Sequence, residues 1–427
     1  MRIKSYICNL LKIVKTKKLI GKINKDFLGI YNDEPAFFSY LVEVKDKSFR
    51  KFGNTSRRYI ATSKERCLIK MLGEIIERYC VSCENKKELI WGSYDTFKNK
   101  AINPKKFIFF NFNKISPFFP TYKNEKQKLY WTECIDLVTK EKRLIPAQCI
   151  YLIHQFRKNE PRITFPVSTG TAFHFDFKKA LTSAILEVVE RDAFMTHYLT
   201  KLPGTVIEIS QKEKFLYKIV KKIERYNLKL ILIDISTEFP VWTILGIIID
   251  ESGIGPAISV GAKSHFNLKE AITCAIEECI QSRIWIRTAM VILKNVKEDY
   301  LLYGKKEKLN RGLFWSKKEM IKKISFFWNN EKISIDKLKK QKKANNLNSL
   351  IKWIKENNIE FYFKDVTPHE FKNKFYTIKV VSPSLQPLYF DERFPQWNLE
   401  RLKMFLQKIK KVKGKKIIIN KIPHPFL

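Results

Sequence analysis

The chain has 427 residues, room for one large domain or two ordinary ones, and 45% of them are hydrophobic, which excludes wholesale disorder. Its 81 basic and 43 acidic side chains leave a net charge of +38. Abundant Lys and Asn beside only 14 Gly fit compositional drift and solvated charge runs, and no nucleic-acid module or stacking-aromatic motif accompanies the charge, so a nucleic-acid partner is not expected.

The stretch Met1–Ile23 is apolar only in short runs broken by Lys4, Lys12, Lys15, Lys17 and Lys18. It reads neither as a signal-peptide core nor as a membrane span of about 20 apolar residues. Eight scattered Cys then imply free thiols in a reducing cytoplasm, and the lone Cys80-Val-Ser-Cys83 does not make a zinc site.

In chain order, residues 1–45 predict a short helix and then strands around Phe37–Val44, with residues 1–35 an extension ahead of a domain over 36–427. A polar, turn-rich stretch, Asp46 to Tyr59, leads to a helix over Lys64–Cys83. Strand-like runs occur at Phe107–Phe110 and Ile145–Leu152. A second helix is expected over Lys178–Leu202, strands at Lys229–Ile235 and Val241–Ile249, and a third helix over Leu268–Lys294. The Lys- and Asn-rich residues 304–350 read as a solvated, helical, basic insertion peripheral to any chemistry. Strands resume at Ile359–Lys364 and Thr377–Val381, a last helix covers Asn398–Lys411, and residues 421–427 form a Pro-containing tail.

An internal repeat organises this series. Gly170-Thr-Ala-Phe-His174 through Lys178 and Ala180 matches Gly261-Ala-Lys-Ser-His265 through Lys269 and Ala271 at a constant offset of 91, and the match extends to Glu187/Glu278 and Glu190/Gln281. A looser copy 113 residues before the first contains Cys67, Glu74 and Glu77. The expected fold class is α+β, with pseudo-repeated helix/strand units packed on mixed sheets.

Residues three apart share a helix face, so Glu74 pairs with Glu77, Glu187 with Glu190, and Glu278 with Gln281. Apolar residues fill the intervening positions, which sets these acids beside the core, where an unpaired carboxylate is costly. Arg78, Arg191 and Arg283 supply part of the compensation, and the remaining negative charge suits Mg²⁺, a hard ion that takes oxygen ligands and shares them with phosphates. A single such helix would read as surface ion pairs; three in register with a repeat do not. No P-loop or dinucleotide-type Gly loop is present, so any nucleotide must be held through metal and Arg.

These motifs resemble the YcaO family. The block Ser168–Ala172 through Glu187 and Glu190-Arg-Asp-Ala-Phe-Met195 is similar to the family's hallmark segment. Leu72-Gly-Glu74-Ile-Ile-Glu77-Arg78-Tyr79 resembles its first acidic helix, and Ala271 to Glu278-Cys-Ile-Gln281-Ser-Arg283 its third. Trp131, Pro146-Ala147 and Gln386-Pro387-Leu388 add further echoes. The resemblance implies a YcaO-like fold and an enzyme that uses ATP and Mg²⁺ to activate backbone amides of a precursor peptide. In the cyclodehydratase branch a Cys, Ser or Thr side chain adds to the preceding carbonyl, ATP phosphorylates the oxyanion, and loss of phosphate leaves a thiazoline or oxazoline. By the same resemblance Glu74, Glu77, Glu187, Glu190 and Glu278 hold metal, and Gln281, Arg78, Arg191 and Arg283 join them at the nucleotide.

Azoline-forming members often end in P-x-P-x-P, whose carboxylate reaches the active site. Here Pro423 and Pro425 fit and Leu427 stands in place of the last Pro, making the Leu427 carboxylate the expected proton acceptor. The chain departs from the family at Lys70 and Lys179, where a hydroxyl residue and an acid are usual, and at Tyr59-Ile60-Ala61, where a Gly-Lys-Gly-like stretch is usual. The implied partners are the precursor peptide, a separate ubiquitin-activating-enzyme-like or leader-binding protein, a flavin dehydrogenase, and a second copy in a homodimer. Backbone thioamidation and a non-catalytic scaffold role are the alternative readings.

Overall fold

The computed structural model describes residues 3–26, 31–45, 56–110, 120–292, 307–341, 343–410 and 417–427. The polar stretch 46–55, the expected helix residues Lys294 and Lys411, and residues 304–306 lie outside them. Helix α1 (Ile3–Thr16) leads into β1 (Ile20–Asp26), β2 (Phe38–Val44) and β3 (Ser56–Ala61), then α2 (Lys64–Ser82). Next come β4 (Ile90–Ser93), the single turn α3 (Tyr94–Phe97), β5 (Lys128–Asp136), β6 (Lys142–Pro146), β7 (Thr171–His174) and α4 (Phe177–Thr200). The middle of the chain forms β8 (Thr205–Glu208), α5 (Lys214–Glu224), β9 (Lys229–Asp234), β10 (Trp242–Ile249), β11 (Ile258–His265) and α6 (Leu268–Ile292). The remainder forms α7 (Glu307–Phe314), α8 (Met320–Ile324), β12 (Lys332–Ser334), α9 (Ile335–Leu338), α10 (Leu347–Glu356), β13 (Tyr362–Asp365), β14 (Tyr376–Val381) and α11 (Leu399–Lys410).

The strands make three sheets: β1-β2-β3, β11-β10-β9-β8-β12, and β4-β5-β13-β14-β7 with β6 on β5. Pairing is antiparallel except where β12 runs parallel to β8, so the architecture is α+β with a mixed sheet.

The repeat is real in three dimensions. Strands β3, β7 and β11 each occupy a sheet edge, and each feeds an acidic helix: α2, α4 and α6. The three N-caps fall in register. Ser63 accepts from the Arg66 N–H (3.3 Å), Asp176 from Lys179 (2.9 Å) and Asn267 from Glu270 (3.1 Å). The two His of the repeat make the same turn, His174 Nδ1 accepting from the Asp176 N–H and His265 Nδ1 from the Asn267 N–H. Each acidic helix then packs on its own strand and on the strand of the next copy: α2 on β3 and β7, α4 on β7 and β11, α6 on β11 and back on β3. The ring closes on itself, and the acids of all three helices meet inside it. Both repeat glycines are needed for this closeness. Gly170 has φ +78° and a Cβ there would lie 2.3 Å from the Val380 carbonyl oxygen; one on Gly261 would lie 2.5 Å from the Cys279 nitrogen.

Three sequence expectations fail. Phe107–Phe110 is not a strand, because Pro104 opens a 3-10 turn over Pro104–Phe107 that the Asn103 side chain caps. The strand expected over Ile145–Leu152 stops at Pro146, and a 3-10 turn over Ala147–Cys149 follows. The described part of 304–350 is no peripheral insertion. Trp315, Met320, Ile324, Phe327, Ile335, Leu338 and Leu350 are buried, and β12 extends the five-stranded sheet. Its Lys and Asn sit mainly on outward faces, so average composition hid short elements with an apolar side. At the other end, α1 packs on α2, β1 pairs with β2, and Glu34 is buried between Arg283 and Arg287, contacts that tie residues 3–26 and 31–34 to the body.

The core divides into clusters under the separate sheets, and a buried ion network pins one loop beneath them. His154 Nδ1 meets Glu84 and Nε2 meets Glu160 at 3.1 Å, the Tyr130 N–H also reaching Glu160 at 3.1 Å. Burial opposes the imidazolium, yet the two glutamates outweigh it and hold the ring's pKa up at about 9. A raised folded-state value contributes stability that is complete below the unfolded value of about 6.5 and is lost as pH rises through 9. Wild type is therefore expected to lose up to about 3 kcal/mol between those limits, and His154→Gln to show a flatter profile, in chemical denaturation at fixed salt.

Candidate active site

Inside the ring lies a cleft of about 500 Å³. Of the residues expected at a nucleotide and metal site, Glu74, Glu77, Arg78, Glu187, Arg191, Glu278, Gln281 and Leu427 line it. The long spacing in sequence collapses because α2, α4 and α6 present one face each to the same space.

Each acid is braced differently. Glu74 accepts from Arg57 Nη1 at 2.9 Å, with Arg78 Nη2 3.6 Å away one turn along. Glu187 accepts the Gly170 N–H at 3.0 Å and faces Arg191 Nη2 at 3.6 Å. Glu278 accepts the Ala262 N–H at 3.3 Å, so in two copies the strand's backbone steadies the acid of its own helix. Burial, and then the nearby Glu187 charge, push Glu77 well above the usual carboxylate range.

Four expected residues are not at the cleft surface. Glu190 is 1% exposed and lies behind the wall, accepting the Ser264 N–H at 2.8 Å, with Arg191 Nη1 3.3 Å and Lys263 Nζ 3.6 Å away. Burial raises it to about 7. Arg283 points elsewhere altogether: it is 2% exposed and bonds Glu34 and Asp250, both at 2.7 Å. The reason is helical phase. Arg78 and Arg191 follow Glu74 and Glu187 by four residues, whereas Arg283 follows Glu278 by five, a further rotation of about 100°. The residue in phase is Ser282, and it lines the cleft. Pro423 and Pro425 also stand back, leaving Phe426 and Leu427 at the surface.

Sequence reasoning missed three cations. Arg57 lies on β3 and Lys263 on β11, and both line the cleft. Lys379, on β14, is 2% exposed and donates to the Val167 and Thr169 carbonyls at 2.9 and 2.5 Å. Burial lowers its pKa to about 8 against the pull of Glu187 and Glu77. The available signal was a lone Lys inside an apolar strand, at Lys263 and at Lys379. The departures also separate: Lys70 lines the cleft, while Lys179 is exposed outside it.

The donor set fits Mg²⁺ and a polyphosphate. Among the described residues no three His, Cys, Asp or Glu converge as a ready-made metal cage. That suits Mg²⁺, which commonly takes one or two carboxylates and completes its shell with phosphate oxygens and water. Gln281 Oε1, Arg78 Nε and Arg191 Nε are buried there without a hydrogen-bond partner, one acceptor and two donors awaiting a ligand. One or two of Glu74, Glu77, Glu187 and Glu278 would hold the ion, which would supply charge neutralisation at the phosphates.

The chain's tail enters the same cleft under tight restraint. Tyr198 Oη donates to the Ile422 and Pro423 carbonyls, both at 3.1 Å, and Trp315 Nε1 to Pro423 at 2.8 Å. Arg311 Nη1 donates to the His424 carbonyl at 2.9 Å, while its Nη2 binds the Phe390 carbonyl and Glu392, both at 2.7 Å. His424 Nε2 meets the Tyr389 carbonyl at 2.6 Å. The Phe426 ring then covers Arg191, 4.0 Å from guanidinium carbon to ring centre. Arg311 and Trp315 come from the stretch expected to be a peripheral insertion, so it holds the tail. Combining Trp315→Phe with Arg311→Met is expected to speed deuterium uptake of residues 417–427 at least tenfold by mass spectrometry; unchanged uptake would show that these contacts do not restrain the tail.

Among curated proteins no relative matches this chain. Solved structures do. A heterocyclase in complex with substrate and cofactor aligns at TM-score 0.77 and 15% identity, over 98% of this chain and 57% of its own length. The YcaO protein from Methanopyrus kandleri bound with AMPPCP and Mg²⁺ aligns at 0.63 and 14%, over 92% and 95%. The E. coli microcin synthetase McbBCD complex, also solved with pro-MccB17 bound, aligns at 0.62 and 15%, over 85% and 88%. This chain thus spans a little over half the length of the first of these and nearly all of the second. These likenesses establish the fold. A family model described as YcaO cyclodehydratase, ATP- and Mg²⁺-binding, matches residues 61–386, about three quarters of the sequence, and the chain belongs to the YcaO family.

Proposed function

We propose that this chain is an ATP- and Mg²⁺-dependent cyclodehydratase that activates backbone amides of a precursor peptide and forms thiazoline or oxazoline rings. The observation that carries this reading is the meeting of three in-register acidic helices, two arginines and the pinned tail in one cleft. Acids and arginines together make a polyphosphate–Mg²⁺ site; a tail beside them makes a place where a proton can leave.

In this reading a Cys, Ser or Thr side chain of the peptide attacks the preceding carbonyl carbon. The attacking thiol or hydroxyl gives up its proton to solvent, and the resulting oxyanion takes the γ-phosphoryl group from ATP, releasing ADP. The amide nitrogen then loses its proton as phosphate departs, and the C=N bond of the ring forms. Arg78 and Arg191 offset charge on the phosphates, and Gln281 offers a neutral acceptor. Lys70 lines the cleft and adds a cation facing the ligand, which is compatible with phosphate binding although a hydroxyl residue is usual there. The carboxylate that Leu427 carries in this chain takes the amide proton, with Pro423 and Pro425 stiffening its approach.

The peptide and a separate delivering protein are part of the proposal. The E. coli microcin synthetase is a multiprotein complex solved with pro-MccB17, which supports that expectation. A flavin dehydrogenase that oxidises azolines and a second copy of the chain are further proposed partners. No helix among the described residues is long and apolar enough to cross a membrane, and all eight Cys are unbridged, which supports a reducing cytoplasmic setting. Thioamidation would use the same activation with sulfide as nucleophile; the restrained tail favours cyclisation.

Calorimetry with ATP is expected to show Mg²⁺-dependent binding in wild type and at least tenfold weaker binding in Glu187→Gln. Equal affinity in the two proteins, or none in wild type with its partner present, would leave the scaffold reading in place. A Gly-Ser extension beyond Leu427 is expected to cut cyclisation about 10²–10⁴-fold at unchanged ATP affinity, as loss of general base assistance requires. Cyclisation at the wild-type rate in the extended protein would remove the tail from the chemistry.

A further inference from the structure

The cleft has two apolar ends, built from different parts of the core. Tyr6, Ile69 and Phe173 line it and belong to the cluster formed by α1, α2 and the neighbouring sheets. Val260 and Phe426 line it and belong to the cluster under β9, β10 and β11 that also holds the tail. Between them stand the acids. On α2 and α4 the lining residues Lys70 and Ser183 precede the acids by one turn, and Arg78 and Arg191 follow by one turn.

A nucleotide bound through its phosphates at these acids must direct its reacting phosphate toward the tail and the arginines. Its base and ribose then extend the other way, to the end where α1 contributes Tyr6. That ring is half-buried and held in place from behind. It stands edge-on to Phe175, with centroids 4.9 Å apart at 88°, and lies 5.7 Å from the His174 ring. Phe173 fills the next position of the same strand and stands 5.3 Å from Phe175. The result is a rigid aromatic corner opening on the cleft. An aromatic platform of this kind accepts the face of a nucleobase without needing base-specific hydrogen bonds.

We infer that Tyr6 and the aromatic corner behind it form the nucleobase end of the cleft, so that α1, which precedes the family-matched residues 61–386, is part of the nucleotide site. The inference rests on the ATP-binding reading above. It predicts little discrimination between purines, since the contact is a stacked face, and dependence on the ring rather than the hydroxyl.

Calorimetry with two probes separates the possibilities: ATP, and inorganic tripolyphosphate, which has the charge but no base, each with Mg²⁺. Wild type is expected to bind ATP more tightly than tripolyphosphate. Tyr6→Ala should weaken ATP about 5- to 100-fold and leave tripolyphosphate unchanged, the range that loss of one stacked base implies. Tyr6→Phe should keep wild-type affinity for both. The inference is overturned if Tyr6→Ala binds ATP as wild type does, or if it loses ATP and tripolyphosphate equally, which would mark Tyr6 as a packing residue of α1. It is also overturned if Tyr6→Phe is as weak as Tyr6→Ala. Wild type that binds neither probe would remove the nucleotide reading itself, a different result from any of these. Thermal melts of each variant check that α1 stays docked.

Discussion

Carboxylates repel one another, and this fold collects them. Glu74, Glu77, Glu187 and Glu278 share one cleft, with Glu190 buried just behind its wall. Such a cluster persists only if the surrounding structure over-determines it and cations answer it. Both conditions are met here. Three helices capped in register by Ser63, Asp176 and Asn267 close a ring in which each packs on two repeat strands. Arg57, Arg78, Arg191, Lys263 and Lys379 then come in from five different elements, three strands and two helices. The cleft's chemistry follows from this mixture: its carboxylates can share a divalent ion with phosphate oxygens, and the cations among them suit the phosphates themselves.

The same constraint explains why the periphery matters. A ring closed by helix-on-strand contacts has no covalent fastening, so the segments around it carry that role. Asp33 and Glu34 bind Arg287 and Arg283 and hold the N-terminal region against α6. Asp192, directly after Arg191 on α4, takes a bidentate Arg401 at 2.8 and 2.5 Å and the Gln386 N–H at 2.8 Å, fixing α11 and the Gln386-Pro387-Leu388 turn to the helix that faces the cleft. Arg311 and Trp315 secure the tail to the same body. Buried arginine with carboxylate or carbonyl partners recurs at each of these junctions, where one rigid donor fork can join segments far apart in sequence.

Much of this was legible in the sequence, and for a local reason. Helical period, N-cap chemistry and the three-residue spacing of the acids are properties of adjacent residues, so the three acidic helices, their repeat and the α+β class could be read directly. What failed was also local in kind. Arg283 matches Arg78 and Arg191 in motif, but one extra residue after Glu278 turns it to another face of its helix. The average composition of residues 304–350 is dominated by Lys and Asn, which masks apolar residues that recur on one side of several short elements.

The sequence by itself determined which side chains share a helix face and which strand precedes which helix, because those relations depend on backbone period alone. Only the tertiary structure decided that the three faces look at one another, that Lys263 and Lys379 point inward beside them, and that Tyr6 and Phe426 line the same cleft. Those relations depend on how sheets drawn from the whole chain bury their apolar faces. No short-range pattern encodes that, since the contacting residues lie tens to hundreds of positions apart and are selected by packing together.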